Sequence, residues 1–131
     1  MSEERKKILL AEDDYFIQDI YQTKLKQEGF ETVLAENGKE VLINLEKEIP
    51  DLIMLDILMP YMSGIEALRK IKENEEWEKI PVLILSNLSQ NEDIDEALSL
   101  GANDYLIKSQ FSPSEVIEKV KEILAGKNNN I

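Results

Sequence analysis

The feature that most constrains this chain is a series of short apolar runs, at residues 8–11, 52–55, 82–85 and 105–107, each closed by polar residues. Runs of three or four residues are too short for ordinary helices. They lack the polar alternation of a half-solvated sheet, so they read as strands buried on both faces. A fifth segment, 31–36, places Thr32, Val33 and Leu34 between acidic residues, as a strand near a sheet edge does.

Helical patterns fill the intervals. Phe16, Ile17, Ile20 and Leu25 repeat at helical spacing after Asp14, a side chain suited to capping a helix, and Gly29 offers the left-handed residue that ends one. A second helix carries Val41, Leu42 and Leu45 and stops before Pro50. The third opens on Ser63-x-x-Glu66, a reciprocal capping pattern, and presents Ile65, Leu68 and Ile71. The fourth has Ile94, Ala97 and Leu98 before Gly101. The fifth begins Ser112-Pro113-x-Glu115 and continues with Val116, Val120, Ile123 and Leu124.

Five strands alternating with five helices predict a doubly wound α/β domain, because parallel neighbours need crossovers and right-handed crossovers cover both faces. The expected architecture is a flavodoxin-like three-layer (βα)5 sandwich with a five-stranded parallel sheet in the order 2-1-3-4-5, an order taken by analogy with known sheets of this kind. The 131 residues suit one domain across 1–131, with a folded core of about 6–125 and a flexible tail at 126–131.

Composition narrows the chemistry. There is no cysteine and no histidine, which removes disulfides, thiolate zinc sites, histidine bases and the Ser-His-Asp and Cys-His constellations together. A formal net charge of −12 argues against direct nucleic-acid binding. No apolar run approaches the roughly 18 residues of a membrane span, and the first seven residues are polar, so a cytoplasmic location and no membrane contact are the expectation.

Ligands of doubly wound sheets bind beyond the carboxyl ends of the strands. The residues there are Glu12, Asp13 and Asp14 after the first run, Asp56 after the third, Ser86 and Asn87 after the fourth, and Lys108 after the fifth. Carboxylates about 4 Å apart repel by roughly 4 kcal/mol per ionised pair at an effective dielectric near 20, so these acids need a cation. Hard oxygen donors without His or Cys select Mg2+, with Mn2+ possible. Because Mg2+ keeps several waters and shares its shell with phosphate oxygens, so sparse a donor set suggests a phosphoryl ligand.

At this point four motifs, ILLAEDD, DLIMLDILMPYMSG, LILSN and DYLIKS, resemble in order and spacing those of response-regulator receiver domains of two-component signalling, over roughly residues 6–125. The resemblance implies that Asp56 is the phosphoacceptor, attacking the phosphohistidine of a histidine kinase or histidine phosphotransfer protein. It implies metal binding by Glu12, Asp13, Asp56 and the Leu58 backbone carbonyl, with Asp13 ligating directly and Glu12 through water; a register using Asp13 and Asp14 is the alternative. Lys108 would contact the phosphoryl group, and Ser86 and Tyr105 would form a switch in which Tyr105 changes rotamer as Ser86 moves inward. The output would be an altered face of helix 4, strand 5 and helix 5, offered to a downstream protein by a monomer or a phosphorylation-dependent dimer. Such a protein catalyses its own phosphorylation and dephosphorylation and is no conventional enzyme.

Taken singly, these residues have blander roles. Asp56 alone reads as a loop acid, Glu12 to Asp14 as a solvated turn, Lys108 as a surface lysine and Tyr105 as a half-buried strand aromatic. An aspartate-nucleophile phosphatase would want a second Asp two residues after Asp56, where Leu58 stands. A phosphate-independent interaction module would not need the full set of acceptor, acids, hydroxyl and lysine.

Two positions depart from the receiver pattern. Ser109 stands where the family usually has proline in a cis peptide, so the Lys108-Ser109 bond is free to be trans. Leu58 and Leu88, two residues beyond Asp56 and Ser86, offer no hydrogen bond to a hydrolytic water, which predicts slow autodephosphorylation.

Overall fold

The computed structural model describes residues 5–126. Its five strands are β1 (Lys7–Ala11), β2 (Glu31–Ala35), β3 (Leu52–Leu55), β4 (Val82–Ser86) and β5 (Asp104–Ile107). Its helices are α1 (Tyr15–Gln27), α2 (Gly38–Lys47), α3 (Gly64–Glu73), α4 (Asn91–Ser99) and α5 (Pro113–Leu124), with a 3-10 turn at Lys108–Gln110. The sheet is parallel throughout, in the order β2-β1-β3-β4-β5. Fold class and strand order are those anticipated; of the tail expected at 126–131, all but Gly126 lies outside the described residues.

Strand parity explains why both faces are apolar. Leu9, Ala11, Ile53, Leu55, Val82 and Ile84 join one buried cluster with Val41, Leu45, Leu68, Ile71 and Ala97 of α2, α3 and α4. Their immediate neighbours Ile8, Leu10, Leu52, Met54, Leu83 and Leu85 point the other way and pack with Tyr21 and Leu25 of α1 and Val116, Ile117 and Val120 of α5. Successive strand residues face opposite sides, so an uninterrupted apolar run is what a sheet covered twice requires.

Helix boundaries follow local chemistry. The Asp14 carboxylate accepts from the Phe16 and Ile17 N–H groups at 2.9 and 3.2 Å, and both Ser63/Glu66 and Ser112/Glu115 close reciprocal capping boxes. Gly29 ends α1 with φ +91°.

The apolar stripe of α1 differs from expectation. Phe16 is 75% exposed and Ile20 lies at the surface, while Gln18, Tyr21 and Leu25 are buried. The buried stripe runs through Ile17, Tyr21 and Leu25, with Gln18 beside it donating its side-chain amide to the Glu12 carbonyl at 2.9 Å, so Phe16 and Ile20 fall on the outer face of the helix. In α4 only Ala97 is fully buried, Ile94 is partly buried against the same cluster, and Leu98 faces solvent.

Candidate functional site

The carboxyl ends of β1, β3, β4 and β5 converge on one pocket. The parallel register carries Ala11 and Leu55 side by side, so Glu12 and Asp56 leave adjacent strands at the same level, and the Asp56 N–H donates to the Ala11 carbonyl at 3.1 Å. Ser86 and Ile107 are paired on the neighbouring strands, which places Lys108 just beyond Ser86.

Ligand oxygens of Glu12, Asp13 and Asp56 lie within 4.8 Å of one another. Glu12 and Asp56 are buried and Asp13 is exposed. Asp14 is spent on capping α1, which leaves the preceding pair facing Asp56. The Lys108 ammonium donates to Glu12 at 2.5 Å and to Asp56 Oδ2 at 2.9 Å, and Asp56 Oδ1 accepts from the Ile57 N–H at 2.7 Å. The acceptor carboxylate is thus oriented at both oxygens.

The electrostatics follow from burial. Loss of solvent raises the Glu12 pKa; the hydrogen bond from Lys108 opposes this, and the Asp56 charge adds to it. Burial also works against the Lys108 ammonium, but hydrogen bonds and charge from Glu12 and Asp56 together outweigh it and raise the lysine's pKa. Three carboxylates against one ammonium leave a formal charge of −2, so an all-oxygen donor set with this deficit fits a divalent cation.

Ser86 is fully buried and its hydroxyl accepts from the Leu88 N–H at 3.3 Å, while the Tyr105 hydroxyl donates to the Leu88 carbonyl at 2.7 Å. Both side chains are therefore tied to one residue of the β4–α4 loop. Burial raises the Tyr105 pKa, against a hydrogen bond with Ser86. The Tyr105 ring is already inward, where the sequence anticipated a space that opens only on switching; the Leu88 carbonyl satisfies the phenol there.

Leu58 lies on the loop after Asp56 with its side chain 60% exposed, and Leu88 is partly buried against the core. There is no cis peptide among the described residues, so the Lys108-Ser109 bond is trans.

Two contributors escaped the sequence reading. Gly64 donates its N–H to the Ile57 carbonyl at 2.8 Å, and a Cβ there would overlap the Asp56 backbone carbonyl, so only glycine lets α3 start against the acceptor loop. Gln18 fixes the Glu12 backbone. The Ser63-Gly64 pair before an apolar helix was a readable signal for the first; nothing local marked the second.

A parallel sheet in this order with acids, a hydroxyl and a lysine at its carboxyl edge defines a receiver-type α/β protein. Comparison with known proteins agrees: the response regulator receiver domain family matches residues 8–121, and the chain belongs to that family. It is 38% identical over 119 residues to the alkaline phosphatase synthesis transcriptional regulatory protein PhoP of Bacillus subtilis, covering 91% of this chain and 48% of that protein. The probable transcriptional regulator ycf27 of Porphyra purpurea is 33% identical over 124 residues, covering 95% of this chain and 49% of the relative. The chain therefore spans about half the length of the curated relatives it matches. Among solved structures, the receiver domain of the Francisella response regulator 1452 superimposes with a TM-score of 0.84 at 36% identity, covering 95% of this chain and all of that one. The chain is a phosphoacceptor signalling domain of two-component systems, not a conventional enzyme. No helix among the described residues is long and apolar enough to cross a membrane.

Proposed function

We propose that Asp56 is the phosphoacceptor of this domain and that Glu12, Asp13, Ser86 and Lys108 serve the transfer. The observation that carries this reading is the buried Asp56 carboxylate held 2.9 Å from the Lys108 ammonium, with two further acids within metal-sharing distance. An Asp56 oxygen attacks the phosphorus of a phosphohistidine, an O–P bond forms, the N–P bond breaks, and its electron pair returns to the imidazole. Lys108 faces the charge that develops on the phosphoryl oxygens, and no proton need leave Asp56, which reacts as the carboxylate. A Mg2+ ion, or Mn2+ with the same preference for oxygen, held by Glu12, Asp13, Asp56 and the Leu58 backbone carbonyl, would supply a second positive charge to those oxygens.

Ser86 exchanges its Leu88 N–H partner for a phosphoryl oxygen, and because Tyr105 is bonded to the same Leu88, the movement reaches β5 and the face formed by α4, β5 and α5. A histidine kinase or histidine phosphotransfer protein is the donor, in the cytoplasm, and a downstream protein reads that face from a monomer or a phosphorylation-dependent dimer. Incubation with acetyl phosphate and Mg2+ tests the chemistry: a mass increase of one HPO3 on the wild type, absent in Asp56→Asn and without chelated metal, is expected. Labelling that persists in Asp56→Asn would refute the assignment.

A further inference from the structure

At the amino end of the sheet, away from the Asp56 pocket, the end of α2 and the loop from α3 to β4 border a groove of about 700 Å3, lined by residues of 45–49 and 74–77. The loop that forms one wall is tied down at every turn. The Trp77 and Glu78 N–H groups donate to the Asn74 carbonyl at 3.0 and 2.8 Å, the Ile80 N–H donates to the Trp77 carbonyl at 3.0 Å, and the Asn74 side chain accepts from the Glu76 N–H at 2.8 Å. From α3 the Lys72 ammonium donates to the Glu78 and Ile80 carbonyls at 2.8 and 3.0 Å. A ligand meets a preformed surface here, so little ordering opposes its binding.

Three properties of the groove point to one kind of ligand. Its floor is apolar: Leu45 and Trp77 pack into the core, while Ile49 stands 50% exposed beside them. The floor also carries a free donor. Trp77 is only 8% exposed, yet its indole N–H meets no acceptor among the described residues. No fully enclosed side-chain nitrogen or oxygen among those residues lacks a partner, so this donor opens to whatever enters the groove that the ring lines. The rim is acidic: Glu46 and Glu76 form no ion pair among the described residues, and Glu75 and Glu78 stand exposed in the same loop. Glu48 is held by Lys7 at 2.5 Å, which leaves Lys47 as the cation lining the groove. The C-terminal ends of α2 and α3 meet there too, and each adds the negative end of a helix dipole.

We infer that this groove docks a basic, extended segment of a partner protein. An apolar side chain of the segment lies against Ile49 and Trp77, a backbone carbonyl accepts from the Trp77 indole, and lysines or arginines face Glu46 and Glu76. Other occupants match fewer of these features. A second copy of the chain brings the same net charge of −12, and nucleic acid or an anionic lipid surface is repelled in the same way. A polyamine satisfies the acids but leaves the apolar floor and the indole donor unmatched. An extended peptide matches all three, because its backbone offers carbonyls between side chains that alternate in direction. The groove lies at the opposite end of the strands from Asp56, so a partner seated in it leaves the Asp56 pocket open.

Trp77 is the single tryptophan of the chain, so the groove can be observed directly. The 15N-labelled protein is titrated with three capped peptides, RLKLR, RGKGR and ELELE. RLKLR moves the one indole N–H resonance downfield and binds with a Kd below about 1 mM, and the other two bind at least about tenfold more weakly. Anisotropy of labelled RLKLR compares variants. Trp77→Phe, which keeps a ring and removes the donor, and the paired Glu46→Gln/Glu76→Gln each weaken binding by about fivefold or more. Glu92→Gln/Asp95→Asn on α4 removes as much charge and leaves binding within about twofold. Glu46 and Glu76 are exposed, so their double variant decides the matter even where Trp77→Phe does not fold. Absence of RLKLR binding up to about 1 mM overturns the inference. So does equal binding of RLKLR and RGKGR, or an equal loss in both double variants, since either would mean general attraction to an acidic chain. An indole resonance that stays still while others shift places the peptide elsewhere, and spermine moving that resonance as RLKLR does would make the groove a polyamine site; both outcomes also overturn it.

Discussion

The two ends of the sheet each hold a lysine between acids, and they hold it differently. At the amino end, Lys7 reaches Glu48 at 2.5 Å and Glu31 at 3.9 Å, partners whose side chains are 62% and 53% exposed. At the carboxyl end, Lys108 reaches Glu12 at 2.5 Å and Asp56 at 2.9 Å, partners 4% and 8% exposed. The shorter contact is 2.5 Å at both ends, and the consequences are opposite. Water and salt screen the first cluster, so it adds little to stability. The second keeps excess negative charge where solvent cannot relieve it, an arrangement that costs stability and that a phosphoryl-transfer site requires.

The sharpest way to break the comparison is to remove a carboxylate at each end. Asp56→Asn should abolish labelling by acetyl phosphate to background, whereas Glu48→Gln should leave its rate unchanged; intact-protein mass spectrometry reads both. Equal labelling of wild type and Asp56→Asn would leave the buried cluster with no chemical role.

Removing the lysines comes next. Lys108→Ala should lower the labelling rate by about 100-fold, the typical loss when a group stabilising transition-state charge is deleted. It should also tighten Mg2+ binding, since the ammonium now holds Glu12 and Asp56, two of the acids placed to share a cation. Calorimetric titration with Mg2+ checks this, and weaker binding in the variant would show that Lys108 supports the metal site instead of competing with it. Added Mg2+ should raise the melting temperature of Lys108→Ala more than that of the wild type, because binding to the native state alone stabilises it.

What could be read from the sequence divides along the same line between local and long-range causes. The strands, the Asp14 cap and the two Ser-x-x-Glu boxes were legible because each depends on residues within one turn or one run. The convergence of Glu12, Asp13, Asp56, Ser86 and Lys108 was legible because strand ends of a parallel sheet share an edge. The outward turn of Phe16 and Ile20 was not, since it depends on Tyr21 joining Ile17 and Leu25 on the face that meets the sheet, a choice between two overlapping apolar faces of one helix. Counting apolar residues assigned them to the core. The inward Tyr105 ring likewise needs the Leu88 carbonyl, which belongs to another strand's loop, and Gly64 matters only because Asp56 passes against it.

Hydrolysis gives a smaller effect at the buried end. With leucine at both 58 and 88, the acyl phosphate should persist well beyond seconds at room temperature, and Leu58→Asn, which offers a hydrogen bond to water at the mouth, should shorten its lifetime by several fold. Decay of the labelled mass with time checks both, and loss within seconds in the wild type would remove the argument from apolar residues.

The pH dependence of stability separates the two charges of the buried cluster and gives a subtler effect. Glu12 has a raised pKa in the fold, so above 4.5 the unfolded chain gives up that proton first, and metal-free stability should fall as pH rises from 4.5 through the raised value. Lys108, raised above 10.5, contributes stability that is fully present below 10.5 and is lost as pH climbs through its folded value. Glu12→Gln should flatten the acid-side decline while weakening Mg2+ binding, and melting curves across the range decide it. A wild-type curve that rises through the acid window would mean that Lys108 overcomes the burial of Glu12.

The smallest effect belongs to Lys7. Its pKa is raised chiefly by the hydrogen bond to Glu48, yet both carboxylate partners stand in solvent, so Lys7→Ala should lower the melting temperature slightly and lose even that difference in high salt. Its labelling rate should equal the wild type's. The comparison turns on this variant, because the backbone N–H of Lys7 still donates to Asp51 at 2.7 Å whatever the side chain, and the edge of the sheet stays pinned. A drop in labelling in Lys7→Ala would mean that the two ends are coupled through β1, and that burial alone does not separate the ion pair that shapes chemistry from the one that decorates the surface.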